Sequence, residues 1–507
     1  MKPLTLQETI EAMAGTMDRP VPVGSINRVV IDSREVMPGD LFLAIRGDRF
    51  DGHDFVGQAF AAGAVAAVVR SDFTISFAAA KSVANTSPSS SPMLIRVDDP
   101  VEALGRLARY YRCSVIDGSV TVLAVTGSNG KTTTKSMIAH VLGKRWKGRA
   151  SIKSFNNEIG VPLTLLSTEP SDEFVVCEVG TNAPGEIAAL ARLIEPEIAV
   201  ITGVGPVHLE GLGSLEGVVA EKLSLLDSLR PEGCAIINVD HEVLRWSLEH
   251  RREFANCKKV TFGTWSEADL RLTSIETDAT DAAMAGAVNS SQQFTVNDRF
   301  FYRLNVPGRH NALNAMAAIG VARRFGMNDD QIAERLASFE LPPMRLNCQR
   351  VGSVTLINDA YNANPTSVKA AVNVLEQTQT EGRRVLIVGD MRELGESAGQ
   401  WHEHVAERIG SSCIDLVIAV GEHAKLIRQV VKRTSGHRIS VHAYGSTALA
   451  KRRIASLMQP GDTVLVKGSR LLALERLVEV IVRWATKDKK VATTSPVKKR
   501  SECRATA

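Results

Sequence analysis

A chain of 507 residues is too long for one hydrophobic core and is expected to divide into about three domains. Its hydrophobic content of 44% is ordinary for a globular protein. With no apolar run long enough to span a bilayer and no basic-then-apolar leader, membrane insertion is excluded and a cytoplasmic protein is expected.

The formal net charge of +4 is concentrated at one end. Seven of the 60 lysines and arginines, but two of the 56 acids, fall between Thr486 and Ala507. The remainder is close to neutral and offers no basic face to nucleic acid, so residues 486–507 read as a solvated, disordered basic tail. The seven cysteines are scattered and none forms a C-x-x-C pair, so neither a zinc site nor a disulfide framework is suggested.

In chain order, residues 1–117 form a first small α/β unit. Val29–Ile31, Leu41–Ile45 and Ala64–Val69 read as short buried strands separated by the polar turns Asp32-Ser33-Arg34 and 47–53. Ser82–Pro92 reads as a surface loop and Val101–Tyr111 as a helix.

A second unit is expected over 118–341. It opens on Val122–Val125, an apolar run that breaks at Gly127 and Gly130 and resumes with helical spacing at Met137, Ile138 and Val141. Strand, glycine turn and helix are what a phosphate-binding loop requires. Glycines let backbone N–H groups approach an anion, and the new helix aims its positive end at the same point. Lys131 supplies a mobile cation for terminal phosphates, and the Thr132 hydroxyl is placed for Mg²⁺. The loop is a shortened form, since Val125 stands where the general pattern has glycine. Further strands at 174–179, 198–202 and 234–239 alternate with helices near 185–194 and 214–230, which argues a parallel sheet covered on both faces. Glu276–Gln293 reads as a loop inserted in a small β region, and Asn311–Phe325 as an alanine-rich helix.

The third unit, 342–485, repeats the alternation through strands at 354–357, 385–388, 416–420 and 463–466. It is a doubly wound, Rossmann-like domain without a dinucleotide fingerprint.

Open parallel sheets bind ligands beyond the carboxyl ends of their strands. Glu178 ends one strand and can complete a metal shell opposite Thr132. His208 follows a glycine-rich turn beyond another. Lys222, by composition, reads as a surface lysine on the next helix. Arg345 and Asp359 are ordinary by composition. Asn156 and Asn157 either bind a polar substrate or cap a turn. Lys467-Gly-Ser-Arg470 is either a basic turn suited to a carboxylate or a solvated loop.

Taken together, these stretches resemble the Mur ligases, the ATP-dependent amide ligases of peptidoglycan synthesis, over residues 1–485. The residues that carry the likeness are Thr126-Gly-Ser-Asn-Gly-Lys-Thr-Thr133, Glu178, His208, Gly308–Asn314 and 467–470. Asp32-Ser-Arg34, Asp51–Phe55, Asn358–Pro365 and Gly389–Gly395 make it most similar to the branch that joins D-alanyl-D-alanine to a UDP-N-acetylmuramoyl-tripeptide.

The resemblance implies an acyl phosphate mechanism, ATP and Mg²⁺ as cofactors, and a monomer. It implies that Thr126, Gly127, Ser128, Asn129, Gly130, Lys131, Thr132 and Thr133 hold phosphates, with Asn311 and Asn314 near adenine and Arg345 and Asp359 reaching ATP from the third unit. Thr132, Glu178, His208 and Lys222 as a carbamate would hold metal. Asp32, Ser33, Arg34, Asn156 and Asn157 would lie along the UDP-sugar, with Tyr361, Asn362, Lys467 and Ser469 near the dipeptide. One position departs from the pattern: Ser224 stands where these ligases commonly carry glutamate. Another amino-acid ligase of the same family is the competing reading, and a P-loop switch that makes no amide is a more distant one.

Overall fold

The computed structural model describes residues 1–18, 20–74, 93–251, 254, 257–278 and 291–488. The expected surface loop 82–92 and nearly all of the basic tail lie outside the described residues. Three α/β sheets carry the chain, as the alternating apolar runs imply. A four-stranded parallel sheet runs in sequence order through Arg28–Val30, Asp40–Leu43, Ala66–Arg70 and Leu94–Val97.

The second sheet has nine strands. Thr121–Thr126 is the third strand from one edge, flanked in parallel by Phe174–Glu178 on one side and Ile198–Ile201 on the other. The chain therefore leaves Phe174–Glu178, passes over Thr121–Thr126, and continues on its far side. That reversal opens a crevice beyond the strand carboxyl ends, and the glycine loop sits there. The far edge is antiparallel, built from Leu270–Asp278, Ser291–Val296 and Phe300–Leu304. The span 276–293, expected as a loop, is strand at both ends. Thr277 pairs with Gln292 and Asp278 with Ser291, so backbone pairing rather than apolar periodicity defines these ends, and 279–290 lie outside the described residues.

The third sheet has six strands, with Val354–Asp359, Thr463–Lys467 and Arg384–Gly389 adjacent and parallel. Successive residues alternate between two apolar layers. Leu386 and Leu465 pack on one face, and Val385, Ile387 and Val464 on the other. Burial on both faces is why these strands read as unbroken apolar runs.

The first two sheets share a single apolar core. Leu41, Ile95, Leu104 and Tyr111 pack into the same cluster as Val161, Leu165, Ile187 and Ile194. The helix Pro100–Ser114 joins them, capped by Asp99, whose carboxylate accepts from the Glu102 N–H at 3.1 Å. Its Arg112 is fully buried and donates to the Ile194 carbonyl at 2.8 Å and to Asp117 at 3.1 Å. A buried guanidinium is tolerated when its donors are satisfied in this way. No described helix is long and apolar enough to cross a membrane.

Candidate active site

A cleft of about 930 Å³ lies at the carboxyl ends of the second and third sheets. Its floor is the turn between the strand Thr121–Thr126 and the helix Lys131–Leu142. Gly127 (φ 147) and Gly130 (φ 82) take backbone conformations that an L side chain resists. A Cβ on Gly127 would strike Thr202, and one on Gly130 would strike Asn314. Ser128 ties the loop down, donating to the Gly205 carbonyl at 3.1 Å and accepting from the Gly205 N–H at 3.0 Å. Thr126 donates to the Val179 carbonyl at 2.9 Å. Lys131 folds back onto the Gly127 carbonyl at 2.7 Å. Burial lowers the pKa of this lysine, and an arriving polyphosphate would favour its charged form.

The Thr132 hydroxyl stands 3.1 Å from Glu178 Oε1 and 3.2 Å from Ser154 Oγ. Asn156 donates to the same Glu178 oxygen at 3.1 Å, and Arg345 donates to Thr132 Oγ1 at 3.0 Å. Asn156 thus sits on the glycine-loop side of the cleft, and the neighbouring Asn157 caps a turn, accepting from the Gly160 N–H at 3.0 Å. Lys135, which sequence reasoning passed over, is buried with Nζ 3.1 Å from Glu178 Oε2 and 2.8 Å from the Ser151 carbonyl. One helical turn beyond Lys131, it faces the same strand end, a spacing that could have flagged it. The cluster Thr132, Glu178, Ser154 and Asn156 offers hard oxygen donors of the kind Mg²⁺ requires, so the residues present fit that ion.

Lys222 corrects its sequence reading. It is fully buried on the helix Leu215–Leu223, and its Nζ has no hydrogen-bond partner. Desolvation, then the Lys131 charge, drives its pKa well below the usual lysine value. Composition misled because the neighbouring Glu221 is buried as well. Its carboxylate accepts from the Gly185 and Ile187 N–H groups at 2.7 and 2.8 Å, pulling the helix against that turn. Ser224, the departure from the family pattern, donates to the Glu221 carbonyl at 2.7 Å.

His208 has a left-handed backbone (φ 53) and lines the cleft with Nδ1 2.6 Å from Glu393 Oε2. Asn311 and Asn314 line the same wall, linked at 3.2 Å, and Asn314 accepts from Thr134 at 3.3 Å. Burial pushes the neighbouring His310 imidazole down to about 4.

The third sheet supplies the opposite wall. Asp359 and Lys467 are register partners at adjacent strand ends, and their side chains pair at 2.6 Å. Lys467 also donates to the Asn362 carbonyl at 3.0 Å. Lys467 is therefore already neutralised by an acid of its own sheet. The Arg345 guanidinium lies 4.1 Å above the Tyr361 ring, and Asn364 donates across the cleft to Asn129 Oδ1 at 2.7 Å. Ser469 is buried outside the cleft lining.

Asp32, Ser33 and Arg34 are not brought into this cleft. They follow the strand Arg28–Val30, where Arg34 pairs with Asp32 at 2.6 Å and holds that carboxyl at about 2. Ser33 donates to Gln58 at 3.1 Å. The first sheet thus presents its own polar strand end.

Comparison with known proteins agrees with this arrangement. Three family profiles match in order: "Mur ligase family, catalytic domain" over residues 25–112, "Mur ligase middle domain" over 125–322, and "Mur ligase, glutamate ligase domain" over 344–470. The UDP-N-acetylmuramoyl-tripeptide–D-alanyl-D-alanine ligase of Bacillus subtilis is 35% identical over 483 residues, covering 94% of this chain and 98% of its own. The Escherichia coli protein of the same name is 35% identical, with 90% and 94% covered. The crystal structure of MurF from Acinetobacter baumannii superposes with a TM-score of 0.81 at 29% identity, covering 95% and 99%. MurF ligase from Thermotoga maritima, solved in complex with ADP, gives 0.73 at 27% identity, covering 91% and 98%. With matched domains along most of its length and relatives of this identity and coverage, the chain belongs to the Mur ligase family.

Proposed function

We propose that this protein joins D-alanyl-D-alanine to UDP-N-acetylmuramoyl-tripeptide at the expense of ATP, forming the UDP-linked pentapeptide of peptidoglycan synthesis. One observation carries the reading. A phosphate-binding loop with a buried carboxylate, and a second doubly wound sheet with paired charges at its strand ends, face each other across one cleft. A switch protein has no use for the second wall, and the names of the relatives supply the substrates.

A carboxylate does not condense with an amine near neutral pH, because its oxygen is too poor a leaving group. Transfer of a γ-phosphoryl group makes it an acyl phosphate, and the amine of the dipeptide then attacks the acyl carbon and displaces inorganic phosphate. The chain's own part is electrostatic and positional. Loop amides 127–133 and Lys131 neutralise phosphate charge, with Asn311 and Asn314 at the adenine end. Arg345, already at Thr132, brings a second cation from the third unit. Thr132, Glu178, His208 and Lys222 would hold Mg²⁺, which supplies charge neutralisation at the phosphates. The orphaned buried amine of Lys222 suits conversion to a carbamate, which exchanges an unsatisfied nitrogen for an anionic oxygen donor.

Residues 1–117, with Asp32, Ser33 and Arg34, take the UDP-sugar; residues 118–341 take ATP; residues 342–485, with Tyr361, Asn362 and Lys467, take the dipeptide. Holding three substrates in line makes effective molarities of ~10⁵ M or more available. Closure about 342–345 excludes water from the acyl phosphate. Met344 (φ 58) and Leu346 (φ 53) are left-handed there, as strained hinge positions can be.

The test supplies purified protein with the tripeptide substrate labelled with oxygen-18 in its acceptor carboxylate, plus ATP and D-alanyl-D-alanine. Labelled inorganic phosphate and the pentapeptide are expected together. Unlabelled phosphate, or phosphate release indifferent to the tripeptide, would refute the reading.

A further inference from the structure

We propose that Glu393 is a positioning residue, carried by the third unit to His208, so that the phosphate side of the cleft is completed only when the amine-binding side has docked. The inference rests on the ligase reading above and adds to it a residue that couples the two walls.

The loop after the strand Arg384–Gly389 is pinned on both sides of Glu393. Buried Asp390 accepts from the Glu422 and His423 N–H groups at 2.7 and 3.1 Å. The Met391 N–H donates to His402 Nε2 at 2.9 Å, and His402 Nδ1 faces the Ala398 carbonyl at 2.7 Å. The trio Asp390, His402 and His423 has the composition of a metal site. Both nitrogens of His402 are already spent, however, so the trio serves as an anchor. Met391 and Leu394 are buried, and Glu393 stands between them with a side chain 51% exposed.

Its backbone is left-handed (φ 65), as is that of His208 (φ 53). Such a backbone is strained for a non-glycine residue. The two strained residues, one from each wall, bring their side chains to 2.6 Å. At that distance the Nδ1–H still lies off the axis of an ideal hydrogen bond, a geometry that tightens when an active site fills. Gly395 packs so close that a Cβ there would sit 3.3 Å from Glu210 Cα, on the helix that His208 opens. A carboxylate on Nδ1 fixes both the tautomer and the orientation of the ring, leaving the Nε2 lone pair of this cleft-lining residue available.

Glu393→Ala and Glu393→Gln are compared with the wild-type chain and with Arg392→Ala, an exposed neighbour on the same loop. Two readouts are taken: steady-state ligation, and the nitrogen-15 spectrum of the His208 ring in metal-free protein with nucleotide. Glu393→Ala is expected to lose about 10–100-fold in kcat, with the dipeptide KM within about threefold of the wild type. Its ring should move from the Nδ1-protonated form to a tautomer mixture. Glu393→Gln should fall between, since its amide oxygen accepts without a full charge, and Arg392→Ala should match the wild type. An unchanged ring spectrum in Glu393→Ala overturns the proposal whatever happens to kcat, and so does an unchanged kcat. Wild-type protein that makes no amide sinks the ligase reading instead, and the ring spectrum still decides this one.

Discussion

Replacing Lys222 with methionine should make the protein more stable and inactive at once. The lysine is fully buried and its Nζ has no hydrogen-bond partner. An unsatisfied buried polar group costs about 1–3 kcal/mol, and methionine fills a similar volume without that penalty. At about 2–4 °C per kcal/mol for a unit of this size, the transition of the central unit should rise by roughly 2–12 °C. The sign with pH follows from the depressed lysine pKa. Between that value and 10.5 the unfolded chain holds a proton that the folded chain lacks, so the wild type gains stability as pH rises toward 10.5. The advantage of Lys222→Met should therefore be larger near neutrality than in alkali, shrinking as pH rises toward 10.5. Calorimetry in CO₂-free buffer reads it, and added bicarbonate should stabilise the wild type alone. A variant that unfolds at or below the wild-type temperature near neutrality refutes the reasoning, since the amine would then have to be satisfied in the native state.

Two further outcomes follow from the same geometry. Gly130→Ala forces a side chain onto a backbone at φ 82 and against Asn314. Strain of about 1–2 kcal/mol, together with disturbed Asn311 and Thr134 contacts, should lower the melting temperature and weaken ADP binding; unchanged ADP affinity by calorimetric titration would contradict it. His310 stays neutral in the folded chain down to about pH 4, whereas the unfolded imidazole protonates near 6.5. Stability is thus lost as pH falls from 6.5 to 4, by on the order of 2 kcal/mol after allowing for its partial exposure. His310→Asn should remove that part of the slope in a pH series of denaturant melts, and identical slopes would refute the assignment.

The alternating apolar runs determined the three α/β sheets, because strands buried on both faces cannot carry polar residues in their interiors. The glycine spacing at 127 and 130 likewise located the turn between strand and helix, since only glycine accepts those backbone angles next to Thr202 and Asn314. Polar strands such as Ser291–Val296 escaped notice, because pairing on both sides rather than apolar periodicity defines them. What the sequence could not determine is which charges meet. Lys222 is an orphan because of how its helix packs, Lys467 is neutralised by a register partner 108 positions away, and Glu393 reaches His208 across a cleft between two sheets. Charge pairing and desolvation depend on distances in three dimensions, and those exist only once the sheets have been placed against one another.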